Sequence, residues 1–345
     1  MLALGVLVLV LAGAFVLWST FQPGHGEGTG AVAVTVPPGG DVGSVGDLLA
    51  QRGVIDSPTF FAINATITGR RDELKPGDYT LQRDMSYGAA LDALVTGPKA
   101  KVVKTFKVTI PEGLSIGEVA PRIRESQVDG NYAAAARSRA VLRRIRKLGA
   151  PRGTRTAEGF LFPATYDLVT GSDARDLVSK QLDAFADNFA QVDMRTAKRR
   201  NLTRYDVLII ASMVEREAQL DRERPLVAAV IHNRLRDGMT LGIDATIRYA
   251  ENNWTRPLRV SELERPGPYN TRLNRGLPPT PIGNPGLASL KAAANPARRD
   301  YLFYVVKPGT CGEHAFSSTD AEFQRDLARY NAEREAAGGK SPTKC

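Results

Sequence analysis

Residues 203–238 constrain this chain most, because they predict two adjacent helices joined by a charged turn. Thr203 and Asp206 have the three-residue spacing of a capping box, which marks the start of the first helix. Pro225 favours the first turn of the second helix, and Gly238 fits its C-terminal stop. The first helix carries an apolar stripe at helical spacing, made of Val207, Ile210, Ala211 and Val214.

Two carboxylates, Glu215 and Glu217, end the first helix on either side of Arg216. At roughly 100° per residue, Glu217 lies about 60° from the centre of the stripe and Glu215 about 100°, while Arg216 points away. Glu217 is therefore expected at the edge of a core, half-buried. Burial raises the pKa of a carboxyl and lets it hold a proton as a general acid. The alternative is a solvated Glu-Arg-Glu helix end.

In the second helix, Asn233 and Arg234 adjoin positions with apolar periodicity. Such a pair can bind substrate or tie a helix to a loop, and the structural tie is the commoner use. Both interpretations stay open at this point.

The formal charge of +9 and the pI of about 9.6 suit an anionic partner such as a membrane surface or an acidic wall polymer. The sequence has no helix-turn-helix, zinc-finger spacing or aromatic-basic RNA motif, which argues against nucleic acid. Its three histidines and two cysteines, Cys311 and Cys345, lack metal-ligand spacing, so we expect neither a metal nor a cofactor. A disulfide between the cysteines is compatible with an oxidising compartment, but the sequence leaves it open.

Residues 1–21 carry no charge and are long enough for one membrane-spanning helix. A cleaved signal peptide is the rival interpretation, but the segment lacks a basic first region and a clear cleavage site. We therefore expect a retained anchor, with the rest of the chain on the extracytoplasmic side. Residues 22–31 are rich in glycine and predict a flexible linker.

A strand–turn–helix phrase occurs twice. The sequence VTVPPG at residues 34–39 matches VTIPEG at residues 108–113, and each precedes a short amphipathic helical run. Between the copies, we expect a helix near Phe60, a strand near Tyr79 and a helix from Ser86. Small βα modules of this kind hold polysaccharide in some envelope proteins, and the alternative is a spacer.

The remaining segments suggest a substrate cleft. Residues 132–155 are strongly basic, which is usual for a solvated helix face and less often marks an anion contact. Glu158 opens the aromatic segment EGFLFPATY, which either lines a sugar cleft or forms a hydrophobic corner with Glu158 as a cap. Residues 268–286 are too rich in Pro, Gly and Asn for regular structure and predict a long functional loop. The run YLFYVV at residues 301–306 predicts a strand buried on both faces, packed with His314 beside the first helix.

Eight motifs in order then carry a resemblance: ASMVEREA, HNRLRDGM, DATIRYA, YNTR, GLPPTPIGNPG, SLKAAANP, YLFYVV and HAFS. The chain closely resembles the MltG (YceG-like) family of endolytic murein transglycosylases over nearly its whole length. The sequence departs from the family pattern at Ala245, where Pro is usual, and at Thr280, where Gly is usual. Thr280 would alter the cleft backbone if that position required a positive φ.

The resemblance implies a lyase that cleaves the bond between N-acetylmuramic acid and N-acetylglucosamine inside a glycan strand and leaves an anhydro end. It assigns the catalytic acid to Glu217, with Glu215 as the reserve. It implies a set of substrate-binding residues, namely Glu158, Asn233, Arg234, Asp244, Tyr269, Asn270 and His314. The implied partners are peptidoglycan strands, the cell membrane and peptidoglycan synthases.

The expected fold is α+β, with an N-terminal membrane helix, a small LysM-like βα module and a larger mixed α/β catalytic domain. The expected boundaries are 1–21 for the anchor, 22–31 for the linker, 32–98 for the module, 99–337 for the YceG-like catalytic domain and 338–345 for a tail. Two alternatives remain. One is a muramidase that hydrolyses the bond with Asp244 or Glu158 as a second carboxylate, and the other is a wall-binding scaffold without catalysis.

Overall fold

The computed structural model describes residues 26–98, 104–339 and 341–343, together with residues 10, 11, 13–15, 18, 19 and 22. The chain divides into two compact units, Met1–Val102 and Val103–Cys345, and each unit has its own hydrophobic core. The predicted domain boundary at residues 98–99 lies next to this division. Most of the predicted anchor lies outside the described residues. No helix within the described part is long and apolar enough to span a bilayer.

In the first unit, a two-stranded antiparallel sheet packs with three helices. Strand β1 (Thr29–Val36) pairs with β2 (Gly77–Arg83), and the helices are α1 (Val42–Gln51), α2 (Pro58–Ile67) and α3 (Tyr87–Thr96). The side chains of Asp41, Ser57 and Ser86 cap the three helices by accepting backbone N–H bonds, which fixes where each begins. The helix and strand positions predicted for residues 58–98 are therefore confirmed.

The predicted linker is shorter than expected, because β1 begins at Thr29 within residues 22–31. Thr29 pairs with Arg83, and the register shifts between Thr29 and Ala31. The glycine-rich composition predicts a flexible segment, but its last residues form a strand because β2 supplies backbone hydrogen bonds.

The second unit begins with strand β3 (Thr105–Thr109), which pairs with β4 (Thr165–Val169), and a later hairpin joins β5 (Phe303–Val306) to β6 (His314–Ser317). The remainder is mainly helical. The helices are α4 (Ile116–Arg124), α5 (Tyr132–Ala135), α6 (Arg139–Lys147), α7 (Ala174–Phe189), α8 (Arg195–Arg199), α9 (Arg204–Glu217), α10 (Arg224–Arg236), α11 (Asp244–Ala250), α12 (Val260–Leu263), α13 (Leu287–Ala294) and α14 (Asp320–Ala336).

The repeated strand–turn–helix phrase is confirmed, with β1 leading into α1 and β3 leading into α4. Gly39 and Gly113 stand at matching turn positions with φ of +78° and +81°. Glycine adopts this left-handed conformation without the steric penalty of a Cβ atom. The same local sequence thus produces the same turn in both units.

The predicted helical hairpin is also confirmed. Thr203 and Asp206 form the capping box of α9, and Gly238 follows α10 with φ of +62°. A 3₁₀ turn, Asp221–Glu223, lies in the charged connection. The sequence predicted one apolar stripe on α9, and this prediction was too narrow, because all residues from Val207 to Val214 are buried. A helix buried on all sides has neighbours around its axis, and α10, α11 and α13 all contact α9.

Two further expectations concern the C-terminal part of the unit. The long loop is confirmed, since no regular element lies between Leu263 and Leu287. The strand in residues 301–306 is present as β5, but the prediction that it is buried on both faces was wrong, because all four of its residues are half-exposed. Residues on both faces of the strand are half-exposed, so the helices that contact the hairpin cover neither face completely. Thr280 has no positive φ, and the substitution of Gly by Thr therefore does not strain the loop.

Two loops of the second unit meet at Gly159, and this contact generates a stability prediction. Gly159 has φ of +86°, and a Cβ atom there would lie 2.6 Å from Pro281 Cβ and Cγ. We expect Gly159→Ala to lower the free energy of unfolding by at least about 2 kcal/mol, from left-handed strain and overpacking. Gly153→Ala is the matched control, since a methyl group at Gly153 would meet nothing within 4 Å. Equal melting curves for the two variants would contradict the prediction.

Candidate active site

Glu217 is the last residue of α9 and lies half-buried where that helix meets the β5–β6 hairpin. Its Oε2 atom accepts a hydrogen bond of 3.0 Å from the hydroxyl of Tyr304 on β5. This contact places the hairpin beside the end of α9, as the sequence predicts for the segment that contains His314. No motif in the sequence marked Tyr304 itself as a functional residue.

The surroundings of Glu217 raise the pKa of its carboxyl. Burial is the largest cause, and the negative charge of Asp244 adds to it. Three groups act in the opposite direction, namely the Tyr304 hydroxyl, the charge of His314 and the backbone N–H of Ala245. The net effect favours the protonated acid, while the donors around it stabilise the carboxylate once the proton has left. A residue that alternates between acid and base needs both properties.

Tyr304 is a permanent donor in this arrangement. Burial and the neighbouring charge of Glu217 raise its pKa well above the ordinary value of 10.0, so its hydroxyl keeps its proton. The ring packs edge-on against the imidazole of His314, with centroids 5.3 Å apart. Tyr304 is therefore fixed by ring packing on one side and by the Glu217 carboxylate on the other.

His314, predicted as a binding residue, is held by Glu223 from the charged turn. The Glu223 carboxylate accepts from the His314 backbone N–H at 2.9 Å and contacts the ring Nδ1 at 2.8 Å. Both side chains are buried. Because a carboxylate accepts at Nδ1, this nitrogen carries a proton, and the ring orientation against Tyr304 is fixed. The role visible here is to position Tyr304 and to influence the charge of Glu217.

Asp244 begins α11 and lies on the open side of the site. Its Oδ1 accepts from Arg272 Nε at 2.7 Å, and both side chains of the pair are 44% exposed. Thr271 is the neighbour of Arg272 in the YNTR motif. Its hydroxyl accepts a hydrogen bond of 3.0 Å from the N–H of Ile243, the residue just before Asp244. The motif therefore positions Asp244 through two adjacent residues.

Glu215, the reserve candidate, has a structural environment. Its side chain is only 5% exposed, Oε1 accepts from Arg224 at 3.0 Å and Oε2 accepts from the Gly286 N–H at 2.9 Å. Helical periodicity placed Glu215 farther from the core than Glu217, and this was wrong because Arg224 and residue 286 cover it. Both oxygens of Glu215 are therefore engaged by groups of the protein, which fits a structural role.

Arg216 points away from the apolar stripe of α9. A solvated helix end would require its side chain to point into solvent, but it contacts other parts of the protein. Its guanidinium lies over the ring of Trp254, 3.5 Å from the centroid, and pairs with Glu118. The three consecutive residues at the end of α9 thus have three different partners. The interpretation of this sequence as a solvated helix end is not supported.

Asn233 and Arg234 tie α10 to the segments on either side of the site. Asn233 donates to the carbonyls of Arg299 and Tyr301, both at 2.9 Å. Arg234 donates to the carbonyl of Leu302 at 2.6 Å and to that of Leu241 at 2.7 Å. These bonds hold the residues just before Tyr304 and just before Asp244. The structural tie left open by the sequence is therefore what the contacts show.

Glu158 is 4% exposed and lies at the start of α4. It accepts from the Ile116 N–H at 3.0 Å and from the Tyr249 hydroxyl at 3.2 Å. The side chain of Asn284 adds a contact of 3.3 Å. Burial raises the pKa of Glu158 to about 7. These contacts match the interpretation of Glu158 as a cap, and its burial keeps it from direct contact with a polymer.

Tyr269 and Asn270 stabilise the long loop. The Tyr269 hydroxyl bonds to Thr280 Oγ1 at 2.8 Å, and its ring packs against Tyr249. Asn270 is buried and donates to the carbonyls of Leu263 and Arg265. Both residues make hydrogen bonds within the protein, and their predicted role in substrate binding stays a prediction.

The candidate site therefore consists of the carboxyl of Glu217, with Tyr304, Asp244 and His314 around it. Within the part of the chain that is described, no group of three or more His, Cys, Asp or Glu side chains could hold a metal ion. Cys311 is disulfide-bonded, and Cys345 lies outside the described residues. Fold and site together define a mixed α/β protein with a half-buried carboxyl of raised pKa at the end of a buried helix.

Comparison with known proteins gives the family. The model of the YceG-like family matches residues 34–329, and the chain belongs to this family. An endolytic murein transglycosylase of Bacillus subtilis is 27% identical over 334 residues, which cover 93% of this chain and 91% of the relative. One from Streptococcus pneumoniae is 28% identical over 327 residues, which cover 87% of this chain but only 58% of the longer relative.

A solved structure supports the same assignment. The crystal structure of a yceG-like protein from Listeria monocytogenes has a TM-score of 0.57 and 26% sequence identity. The match covers 86% of this chain and 99% of that protein. The YceG-like mixed α/β fold is thus found at the level of both sequence and structure.

The contacts of Glu215 generate a prediction about stability. We expect Glu215→Gln to lower the free energy of unfolding by about 1–3 kcal/mol, because Arg224 loses its buried carboxylate partner. Glu313→Gln is the control, since its pair with Arg222 is long, at 3.6 Å, and largely exposed. That variant should stay within about 1 kcal/mol of the wild type. Chemical denaturation measures both, and a fully stable Glu215→Gln protein would refute the structural role.

Proposed function

We propose that this chain is an endolytic murein transglycosylase that cleaves the bond between N-acetylmuramic acid and N-acetylglucosamine within peptidoglycan strands and leaves anhydro-muramic ends. Glu217 is the catalytic residue of this proposal. The observation that carries it is the environment of Glu217, a half-buried carboxyl whose pKa is raised and which makes no ion pair among the described residues. The family and the activity of the named relatives agree with this assignment.

The reaction needs one group that gives a proton and then takes one. Glu217 first donates its proton to the glycosidic oxygen, and the bond from that oxygen to the anomeric carbon breaks. The C6 hydroxyl of the same muramic acid then attacks the anomeric carbon and closes the anhydro ring, while Glu217 takes the hydroxyl proton. No water is consumed, and Glu217 ends in its starting state. One carboxyl is therefore sufficient, whereas ordinary glycosidases use two.

Tyr304 acts on Glu217 at both stages. Its hydroxyl donates to Oε2 of Glu217 and holds the carboxyl in place. In the carboxylate state, this hydrogen bond stabilises the negative charge that forms after proton transfer. Tyr304 is thus a positioning residue that also limits how far burial raises the pKa.

The contacts speak against the muramidase alternative. Asp244 would have to serve as base or nucleophile, yet its carboxylate is bound to Arg272 at 2.7 Å. Glu158 is buried and engaged by the start of α4. A scaffold without catalysis would not need a carboxyl with a raised pKa at the end of a buried helix.

The proposal also includes the setting of the enzyme. Residues 1–21 form a retained membrane anchor, supported by their length and lack of charge, and the catalytic unit lies on the extracytoplasmic side. The first unit is a LysM-like module that contacts glycan, supported by its small strand–helix architecture. Peptidoglycan synthases are the expected protein partners, because a cut in nascent strands sets the length of those strands.

Fractionation of cells that carry a tagged chain tests the membrane anchor. Soluble protein processed near Ala31 would contradict a retained anchor.

The central variant is Glu217→Gln. Gln keeps the size of Glu but cannot transfer a proton, so we expect formation of anhydro-ended fragments to fall by about 10²–10⁴-fold. Stability should not fall, because the amide avoids the desolvation of a half-buried carboxyl. Digestion of purified sacculi with product masses measures the rate, and melting curves control for folding. A Glu217→Gln protein that remains active would exclude Glu217 as the acid.

Tyr304→Phe tests the partner of the acid. Loss of the hydroxyl should reduce kcat/KM about tenfold, the usual size for a hydrogen bond to a charged group. The Tyr304 hydroxyl lowers the pKa of Glu217, so its removal raises that pKa. Because the reaction starts from protonated Glu217, the decline of activity at alkaline pH should then move to higher pH. Tyr301→Phe, whose ring stacks on Phe316 in the same region, is the matched control. An unchanged pH profile for Tyr304→Phe would refute the coupling.

A further inference from the structure

The second unit carries a segment of single-sign charge that the proposed reaction does not use. Between residues 131 and 157 the sequence has eight Arg or Lys residues and no Asp or Glu. The formal net charge of the whole chain is +9, so this short segment holds most of the excess positive charge. Protein surfaces usually intersperse both signs, and a field of one sign attracts partners of the opposite sign.

Helix α6 gathers this charge on one face. Four basic side chains of the helix are exposed and lie within an arc of about 100° around its axis, namely Arg139, Arg143, Arg146 and Lys147. The opposite face packs on the core through Ile145, which is fully buried. Arg152 and Arg155, in the loop after the helix, are exposed as well. We call these six side chains the basic surface.

The basic surface has no neutralising partner within the described part of the chain, where none of its six side chains forms an ion pair. Helix α7 contributes one carboxylate nearby, Asp183, and this group pairs with Arg144 on the flank of α6. Asp206, in the first turn of α9, belongs to the capping box of that helix and accepts from the hydroxyl and N–H of Thr203. The charge of the surface is therefore open to an outside partner.

The basic surface lies at the end of α9 that is remote from Glu217. The loop after α6 contacts the start of that helix, because a Cβ atom at Gly149 would lie 3.3 Å from Arg204 Cβ, and the side chains of Thr154 and Tyr205 are hydrogen-bonded. Glu217 is the last of the 14 residues of α9, which span about 20 Å at 1.5 Å per residue. A partner can therefore bind the basic surface without covering Glu217.

The chemistry of the surface favours lipid headgroups over a sugar polymer or a nucleic acid. Proteins bind sugar rings and single-stranded nucleic acids by aromatic stacking as well as by charge, and residues 133–159 contain no Phe, Tyr or Trp. The exposed face of α6 has no large apolar side chain either, so it suits contact with headgroups rather than entry into the acyl region. In the proposed setting, residues 1–21 tether the chain to a bilayer, which keeps a lipid surface within reach.

We propose that the basic surface docks the second unit on a membrane that contains anionic phospholipids, with Arg139, Arg143 and Lys147 against the lipid phosphates. This inference goes beyond the proposed reaction and rests only on the proposed membrane setting. Clusters of about four to eight basic residues are sufficient for such docking. Docking turns the start of α9 towards the bilayer and leaves the end with Glu217 open to a glycan strand.

The test uses the full-length chain, reconstituted in vesicles through its own N-terminal segment, with a protease site introduced between residues 22 and 28. Cleavage separates the folded body from residues 1–21, and sedimentation measures how much of the body stays on the vesicles. If the segment does not insert, the full-length chain is added to the same vesicles directly. We expect retention on phosphatidylcholine vesicles that contain phosphatidylglycerol, and none on phosphatidylcholine alone. Retention should be lost when the salt rises from about 0.1 M to about 1 M, because the Debye length falls from about 10 Å to about 3 Å.

A double variant with Arg139→Gln and Arg143→Gln should bind anionic vesicles about 25-fold more weakly, at roughly fivefold for each basic side chain. The matched control carries Arg325→Gln and Arg329→Gln, which remove the same charge from exposed positions of α14, a helix that contacts the hairpin next to Glu217. Binding by the control should change by less than about twofold, because charges farther than a Debye length from the lipid are screened.

Equal retention on both kinds of vesicle, or unchanged retention of the Arg139 and Arg143 double variant, would overturn the docking. Binding of the body to phosphate-bearing wall polymers but not to vesicles would also overturn it. Digestion of soluble glycan strands separates this inference from the proposed function, since the double variant should cleave them at the wild-type rate. Docking by a protein that cleaves no strand would support the surface and overturn the lyase. A double variant that loses soluble cleavage as well would place the surface in the substrate cleft and overturn the docking.

Discussion

The structure depends on a difference in environment between two carboxyl groups, Glu215 and Glu217, which lie two residues apart on α9. Glu215 is enclosed and pairs with the guanidinium of Arg224, and its two oxygens fasten the helix to α10 and to the long loop. Glu217 makes no ion pair among the described residues, accepts a hydrogen bond from Tyr304 and has a raised pKa. If Arg224 reached Glu217 instead, its positive charge would oppose the rise in the pKa of Glu217. In the proposed mechanism, Glu217 can act as the acid because the nearby guanidinium of Arg224 is paired with Glu215.

A chain of contacts from neighbouring elements holds the side chain of Glu217 in position. Glu223 fixes His314, His314 packs on Tyr304, and Tyr304 bonds to Glu217. Arg234 contributes from the opposite side, since it holds the backbone before both Tyr304 and Asp244. Most polar residues predicted as substrate contacts also bind backbone carbonyls or other side chains of the protein, and their role in binding substrate stays a prediction. Hydrogen bonds within the protein keep Glu217 in place.

Local sequence signals predicted the helices well. The capping box at Thr203, the proline at the start of α10 and the glycine after it act within a few residues, so no distant contact is needed to recognise them. The choice of Glu217 came from the same periodicity and from the family resemblance. What could not be predicted was contact between distant segments. Tyr304 and Glu217 are 87 positions apart, and the partner of Glu215 lies across a turn. The burial of β5 was misjudged because an apolar run does not reveal which segments will cover the faces of its sheet.

Cleavage of the strand by a single carboxyl, without water, can be examined in one digestion. Sacculi are treated with the wild-type chain in water enriched in ¹⁸O, and the product masses are read by mass spectrometry. We expect muropeptides lighter by one water than reducing-end products, with no ¹⁸O at the new end. Reducing ends that carry ¹⁸O would show that water attacks the anomeric carbon, and would contradict a mechanism in which Glu217 acts alone.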